Sequence, residues 1–289
     1  MNTPTWMAHH QEFAEFVLRS HQGAILEIGG QGLLYTLMKK KGFTAPYTCL
    51  DLSEVTERHE DIKYIQGNGE TYPFESGSTL LLSHVFEHFY QPRLFVENVC
   101  TSGVESVYIS IPNMPALLEI ASLNVISNEH TFYIDKPLIE WLFAQNGYIL
   151  ADYYEFRQHS LFFHFKRGAI TRSEVPNRSS IMDQLQARIQ KDTAHLQNVL
   201  IQPNSFLIPA GALGQCIIYF NKPSSILGFL DNDLLKQGKR VYGTPYRVFG
   251  MDELLKHDGI TIYILAGPYQ KELIQQIEGY KKSFTIIQL

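Results

Sequence analysis

Cysteine is scarce in this sequence. Cys49, Cys100 and Cys216 stand singly in apolar settings, with neither CxxC spacing nor even parity, which excludes a disulfide framework or a thiolate metal cage and leaves buried thiols in a reducing compartment as the expectation. No run of about 18 or more apolar residues occurs, and no basic-then-apolar leader opens the chain. Neither a membrane span nor a secretory signal is therefore expected, and the protein is expected to be cytoplasmic. Positive charge is also short: the net charge is -5 and no long basic stripe appears, which argues against an electrostatic nucleic-acid binder. Lys39-Lys40-Lys41 instead closes a predicted helix, where cations oppose the negative end of the helix dipole. Internal repeats and low-complexity tracts are lacking too. What remains is 289 residues with 45% hydrophobic and 12% aromatic content, enough for two packed cores.

The most informative segment is Ala24 to Gly32, AILEIGGQG, followed about twenty residues later by YTCLDLSE. Ala24 to Ile28 reads as a buried parallel strand, and Gly29, Gly30 and Gly32 let the chain turn sharply into a helix. Asp51, at the tip of the next strand, is placed to accept hydrogen bonds from both hydroxyls of a ribose. Together they read as a nucleoside site. Asn68 follows the third strand, where its amide can pair with an adenine edge, and Ser83 to His88, SHVFEH, end the fourth strand in a polar cluster.

Strand and helix signals alternate along the chain, the pattern of an α/β doubly wound parallel sheet. Predicted strands are 47–52, 62–66, 79–83 and 106–111, with helices over 33–42, 92–100 and 137–147. Segments 148–156 and 161–166 have the alternation of an antiparallel pair. These elements define a first domain over 1–168. Residues 169–203 comprise a polar linker and an amphipathic helix whose stripe, Met182, Leu185, Ile189, Leu196 and Val199, is expected to pack on one or both domains. A smaller α/β domain occupies 204–289, with strands at 206–208, 228–230 and 261–265, the last ending at Ala266-Gly267.

The order of these motifs resembles the class I S-adenosylmethionine-dependent methyltransferases over roughly residues 20–167, which implies a Rossmann-like methyltransferase domain and S-adenosyl-L-methionine as cofactor. The resemblance implies a cofactor site of Glu27, Gly29, Gly30, Gln31 and Gly32 under the methionine part, Asp51 and Leu52 at the ribose, Asn68 and Gly69 at the adenine, and Ser83 and His84 along the cofactor. The usual GxGxG is replaced here by Gly29-Gly30-Gln31-Gly32. A nicotinamide site is the competitor, but residues 29–34 do not supply GxGxxG.

The C-terminal domain, with Ile208-Pro209-Ala210-Gly211-Ala212, the run DNDLLKQGK from Asp231 to Lys239, and Tyr242-Gly243-Thr244-Pro245, resembles that of sugar C-methyltransferases. That resemblance implies a nucleotide-linked or phosphorylated carbohydrate acceptor. It also implies a catalytic group at Ser127-Asn128-Glu129-His130, in which Glu129 and His130 match the family's Tyr-His-Glu-His segment and the tyrosine and first histidine do not. The family's cysteine-rich zinc module has no counterpart, since no cysteine precedes Cys49. His130 is the candidate general base, and Tyr133 the stand-in for the missing tyrosine. O- or N-methylation of a non-sugar metabolite and a non-catalytic, cofactor-binding scaffold are the alternatives.

Several of these residues also have plainer readings. His84 and His88 are one helical turn apart, a metal-ligand spacing, but Glu87 is expected to point elsewhere and no third ligand is evident, so no metal is expected. Asp231 and Asp233 fit either a nucleotide ribose or a turn cap, and Glu27 either orders the glycine loop or touches the ligand. His159 and His164 fit a strand bordering the site or an ordinary sheet position.

Overall fold

The structure, a computed structural model, describes residues 4–55, 58–120, 129–177, 179–222, 225–265 and 269–289. The chain forms two compact units, one of Asn2–Leu117 with Ser127–Arg178 and the other of Ser179–Leu289 with Leu118–Ile126.

The first unit begins with α1 (Pro4–Leu18), β1 (Ile25–Ile28), α2 (Leu33–Lys39), β2 (Tyr47–Asp51), β3 (Ile62–Gln66) and β4 (Thr79–Ser83). A 3-10 turn over Phe86–His88 leads to α3 (Pro92–Thr101), β5 (Ser106–Pro112) and α4 (Met114–Ile120), which belongs to this unit only up to Leu117, and then α5 (Lys136–Gln145), β6 (Tyr148–Phe156) and β7 (Ser160–Arg167) follow. The strands form one sheet in the order β3-β2-β1-β4-β5-β7-β6. Its pairs from β3 to β5 are parallel, whereas β7 runs antiparallel to both β5 and β6. The α/β class and the closing antiparallel pair agree with the sequence reading.

Side-chain alternation explains the two layers. From β5, Val107, Ile109 and Ile111 join Phe86, Phe95 and Phe143 in one core. Tyr108 points the other way and joins Phe13, Phe16, Tyr35 and Phe162, from α1, α2 and β7, in a second. A strand covered on both faces has no polar side to offer, which is why β4 reads TLLL with all four residues buried. Local chemistry sets the helix starts. Pro92 opens α3, and Asp135 caps α5 by accepting from Leu138 N at 3.3 Å.

The second unit contains α6 (Ser179–Gln197), β8 (Ser205–Ile208), α7 (Ala212–Asn221), β9 (Gly228–Leu230), β10 (Val248–Phe249), β11 (Thr261–Ile264), α8 (Gln270–Glu278) and β12 (Thr285–Gln288). Its five-stranded sheet, ordered β10-β9-β8-β11-β12, is parallel throughout. The stripe expected on α6 is buried only toward its C-terminal end. Leu196 near the end of α6 and Val199 just beyond it are covered, while Met182 and Ile189 are exposed; at that end the Asn221 side-chain amide of α7 donates to Leu196 O at 2.8 Å. Of the cysteines, Cys49 is buried but Cys100 and Cys216 are half-buried, so the expectation of three buried thiols holds for one. No helix among the described residues is long and apolar enough to cross a membrane.

Candidate active site

In the first unit β1 is flanked by β2 on one side and β4 on the other. The crossover through α2 leaves β1 in one direction and the chain returns on its far side at β4. The loops at the carboxyl ends of these strands therefore diverge and open a crevice, the place where open α/β sheets bind ligands. Gly29, Asp51, Asn68 and Ser83 all lie at this edge, each at or just beyond the last paired residue of its strand.

The glycine turn is shaped from beneath. Gly29 and Gly32 have φ of 72° and 94°, so a side chain at either is strained. A Cβ on Gly29 would lie 2.5 Å from a Val85 methyl, and one on Gly30 would lie 1.9 Å from Glu27 Cδ. Glu27 thus supports the loop from inside and does not line the crevice. Its Oε2 accepts from the Tyr47 hydroxyl at 3.0 Å and the Cys49 thiol at 3.4 Å. Burial raises its carboxyl to about 7, against those two hydrogen bonds. Gln31 is exposed above the turn, while Gly32 is buried at the start of α2.

At the end of β2, where a ribose is expected, Asp51 Oδ1 accepts from Ser53 N at 2.7 Å, and its second oxygen makes no hydrogen bond among the described residues. Leu52 beside it is 69% exposed, an apolar surface at the crevice edge. Asn68 is exposed, and its Oδ1 accepts from Glu70 N at 2.9 Å. Its amide NH₂ is left as the outward group, a donor suited to a ring nitrogen. Gly69 is buried, and a Cβ there would lie 2.4 Å from Ile28 Cγ2. These surfaces fit a nucleoside: an acid for the hydroxyls, an amide for the base and an apolar side chain beside them.

Beyond β4 the expected cofactor lining divides. Ser83 Oγ lies 3.4 Å from Ser110 Oγ. His84 adopts a left-handed backbone, φ 52°, and turns its ring away among Trp6, His9 and His159. His84 Nε2 is 2.8 Å from Ser160 Oγ, and Nδ1 is 3.0 Å from Glu87 Oε1. With both nitrogens engaged, the His84 ring offers nothing to a cofactor. Ser160 Oγ also lies 2.6 Å from His159 Nδ1, which links His159, Ser160, His84 and Glu87 in one polar chain. Burial holds His159 down at about 3, so it is neutral near pH 7.

Glu87 is turned inward and buried, contrary to the expectation that it points elsewhere. Burial works to raise its carboxyl, but the adjacent His84 holds it below the usual carboxylate range. His88 and His130 face it: one ligand atom from each of the three lies within 4.8 Å of the others. The third member missing from the sequence reading is His130. Thr131 holds it there, its N–H and hydroxyl bonding Glu87 O at 3.1 and 3.2 Å and its hydroxyl also bonding Phe89 O at 2.5 Å. Burial lowers the His130 imidazole below its usual value. Tyr133 packs edge-on to it, with centroids 5.7 Å apart. Glu129 has an exposed side chain, and its carbonyl accepts from His88 Nδ1 at 2.8 Å. Ser127 and Asn128 lie outside the described residues, as do Ala266 and Gly267.

His164 is structural: it stacks on Tyr108 at 3.9 Å, and its Nε2 lies 3.1 Å from Ser106 Oγ. In the second unit, Asp231 is a buried cap. Its Oδ2 accepts from Ala210 N at 3.1 Å and Lys236 Nζ at 2.9 Å, and its Oδ1 from Asp233 N at 2.9 Å. Asp233 caps Leu235 N in turn, at 2.9 Å. The DNDLLKQGK run is therefore bonded to itself and to the turn after β8. A separate cleft of about 530 Å³ lies between α7 and Tyr242-Gly243-Thr244-Pro245, with Tyr219 and Lys222 on its wall.

No family model and no curated protein matches the sequence. Solved structures match just over half of it. The methyltransferase domain of bacterial CtHen1-C is 19% identical over 56% of this chain and 99% of that one, with a TM-score of 0.46. The 1,6-didemethyltoxoflavin-N1-methyltransferase of Burkholderia thailandensis, solved with 1,6-didemethyltoxoflavin and S-adenosylhomocysteine, is 13% identical over 57% and 81%, with a TM-score of 0.44. The magnesium protoporphyrin IX methyltransferase of Synechocystis PCC 6803, solved with S-adenosylhomocysteine, is 14% identical over 56% and 84%, with a TM-score of 0.43. At these values the likeness assigns neither an activity nor a ligand to this chain.

Proposed function

We propose that the chain is an S-adenosylmethionine-dependent methyltransferase whose first unit holds the cofactor at the β1/β4 crevice. The observation that carries this reading is the spatial order at the sheet edge: glycine turn, Asp51 and Asn68 on adjacent strands β1, β2 and β3. Gly29 to Gly32 would hold the methionine part of the cofactor, Asp51 its ribose hydroxyls, and Asn68, beside Leu52, its adenine. The cofactor supplies an activated methyl group. The protein's part is to align an acceptor in line with it and to take the acceptor's proton.

His130 is the group for that proton. Its lowered basicity leaves it neutral near pH 7 and able to accept, with Tyr133 and Glu129 beside it. The acceptor in this reading is a small nucleotide-linked or phosphorylated carbohydrate, supported by the likeness of the C-terminal motifs to sugar C-methyltransferases. Incubating the full chain with isotopically labelled S-adenosylmethionine and a pool of nucleotide sugars and cell metabolites, followed by mass spectrometry, tests both levels. A labelled nucleotide sugar supports both, label in another metabolite keeps only the transferase, and no label with no cofactor binding overturns the reading.

A further inference from the structure

We propose that Glu87, His88 and His130 form a site for one divalent first-row transition-metal ion. Their ligand atoms lie within 4.8 Å of one another, with Glu87 buried and the two histidines half-buried. Three independent features aim these atoms at a shared cation.

The first is a buried acid that its neighbours satisfy only in part. Glu87 is 2% exposed, and neither carboxylate oxygen has a hydrogen-bond partner among the described residues. Its ion-pair contact among the described residues is with His84 Nδ1, 3.0 Å from Oε1, and none is made at Oε2. A buried carboxylate is costly unless it is hydrogen-bonded, paired or bound to a metal. The second is the tautomer of His88. A carbonyl can only accept, so His88 Nδ1, 2.8 Å from Glu129 O, carries the ring proton and Nε2 keeps its lone pair. A backbone carbonyl behind one nitrogen is how metal-binding histidines are oriented. The third is His130, whose Nδ1 is buried with no hydrogen-bond partner among the described residues.

The backbone already holds the set together, because the Thr131 bonds tie the chain beside His130 to the turn that carries Glu87 and His88. Metal–ligand bonds of roughly 2.0–2.2 Å require the atoms to draw closer, which side-chain rotation of the two half-buried histidines supplies. Two imidazoles and one carboxylate suit zinc, iron, cobalt or nickel, whereas magnesium and calcium seek an all-oxygen shell. Three protein ligands also leave positions open for water or another oxygen. While an ion is bound His130 would serve as a ligand, so the proton-accepting role proposed for it above belongs to the metal-free chain.

The inference does not depend on the transferase reading, and one set of samples separates the two. The full chain, stripped with chelator, is titrated with Co²⁺ and followed by equilibrium dialysis, visible absorption and thermal melting. Expected are one Co²⁺ per chain, a ligand-field spectrum and a raised melting temperature. His88→Ala and His130→Ala should each weaken binding at least tenfold, while His257→Ala leaves it unchanged. Melting of each variant without metal establishes that it is folded. If Glu87→Gln does not fold, the two histidine variants decide. Stoichiometry well below one ion per chain, or binding unchanged in both histidine variants, overturns the site. Titration of the same samples with S-adenosylmethionine reports the cofactor site alone, so failure of either inference is seen without the other.

Discussion

Glu27 and Gly30 occupy each other's space: the carboxyl of Glu27 fills the position a side chain on Gly30 would need, 1.9 Å from its Cβ. The glycine turn is therefore specified by the residue beneath it as well as by any ligand above it. Gly30→Ala should destabilise the first unit by about 1–3 kcal/mol, the usual cost of overpacking. In the Glu27→Ala/Gly30→Ala double variant that clash is relieved. Denaturant unfolding of the four proteins should give a total loss smaller than the sum of the single losses; simple additivity would deny the contact.

The same carboxyl gives a pH signature. Its folded value is raised from 4.5 to about 7 by burial, so its contribution to stability is full below 4.5 and is lost as pH rises through 7. The shift corresponds to on the order of 3 kcal/mol. Glu27→Gln cannot ionise, so its stability relative to the parent protein should increase from pH 4.5 to 8. His164, lowered to about 4 by burial, has the opposite sign: its contribution is present above 6.5 and lost as pH falls. A difference between Glu27→Gln and parent that is flat with pH would show that Glu27 does not titrate in this range.

Asp51→Ala should weaken S-adenosylmethionine binding about 10- to 100-fold, the loss expected for hydrogen bonds from two hydroxyls to a charged acceptor. Because Asp51 Oδ1 also accepts from Ser53 N, the change in melting temperature should be measured alongside. Unchanged affinity in a folded variant would move the ribose elsewhere.

His130→Ala should bind S-adenosylmethionine within about twofold of the parent protein and lose at least about 100-fold in transfer. Its ring is set against His88 and Tyr133, with centroids 5.0 and 5.7 Å apart. Retained turnover would remove His130 from the mechanism.

Asp231→Ala should act on stability. It takes a buried acceptor from Ala210 N and Lys236 Nζ, at a cost of about 1–3 kcal/mol. Thermal melting checks this. A variant as stable as the parent would return Asp231 to the list of candidate ligand contacts.

Local pattern made much of this architecture readable. The predicted bounds of β3, β4, β6 and β9 agree with the structure, because each is an apolar or alternating run ended by turn chemistry. The helix α1 was not read, although Phe13, Phe16 and Val17 mark its buried face. The histidines interrupting that stripe gave it a polar look, and His9 is in fact fully buried. The edge strands β10 and β12 also escaped, the first having only two residues and the second no buried residue to mark it. At the site, the glycine turn and Asp51 are sequence-local features and were legible. The meeting of Glu87 and His88 with His130, and of His84 with Ser160, was not, since no spacing rule spans such separations.

The last strand of the first unit's sheet to be made, β7, sits inside that sheet and not at its edge, between β5 and β6. Phe162 on β7 packs against Phe13 of α1 at 4.8 Å and against His9 at 5.2 Å. During synthesis, then, the first helix can meet α2 early, but the rest of its cover waits until β7 has left the ribosome. The unit closes like a clasp, beginning against end, and loss of that closing contact would loosen both together.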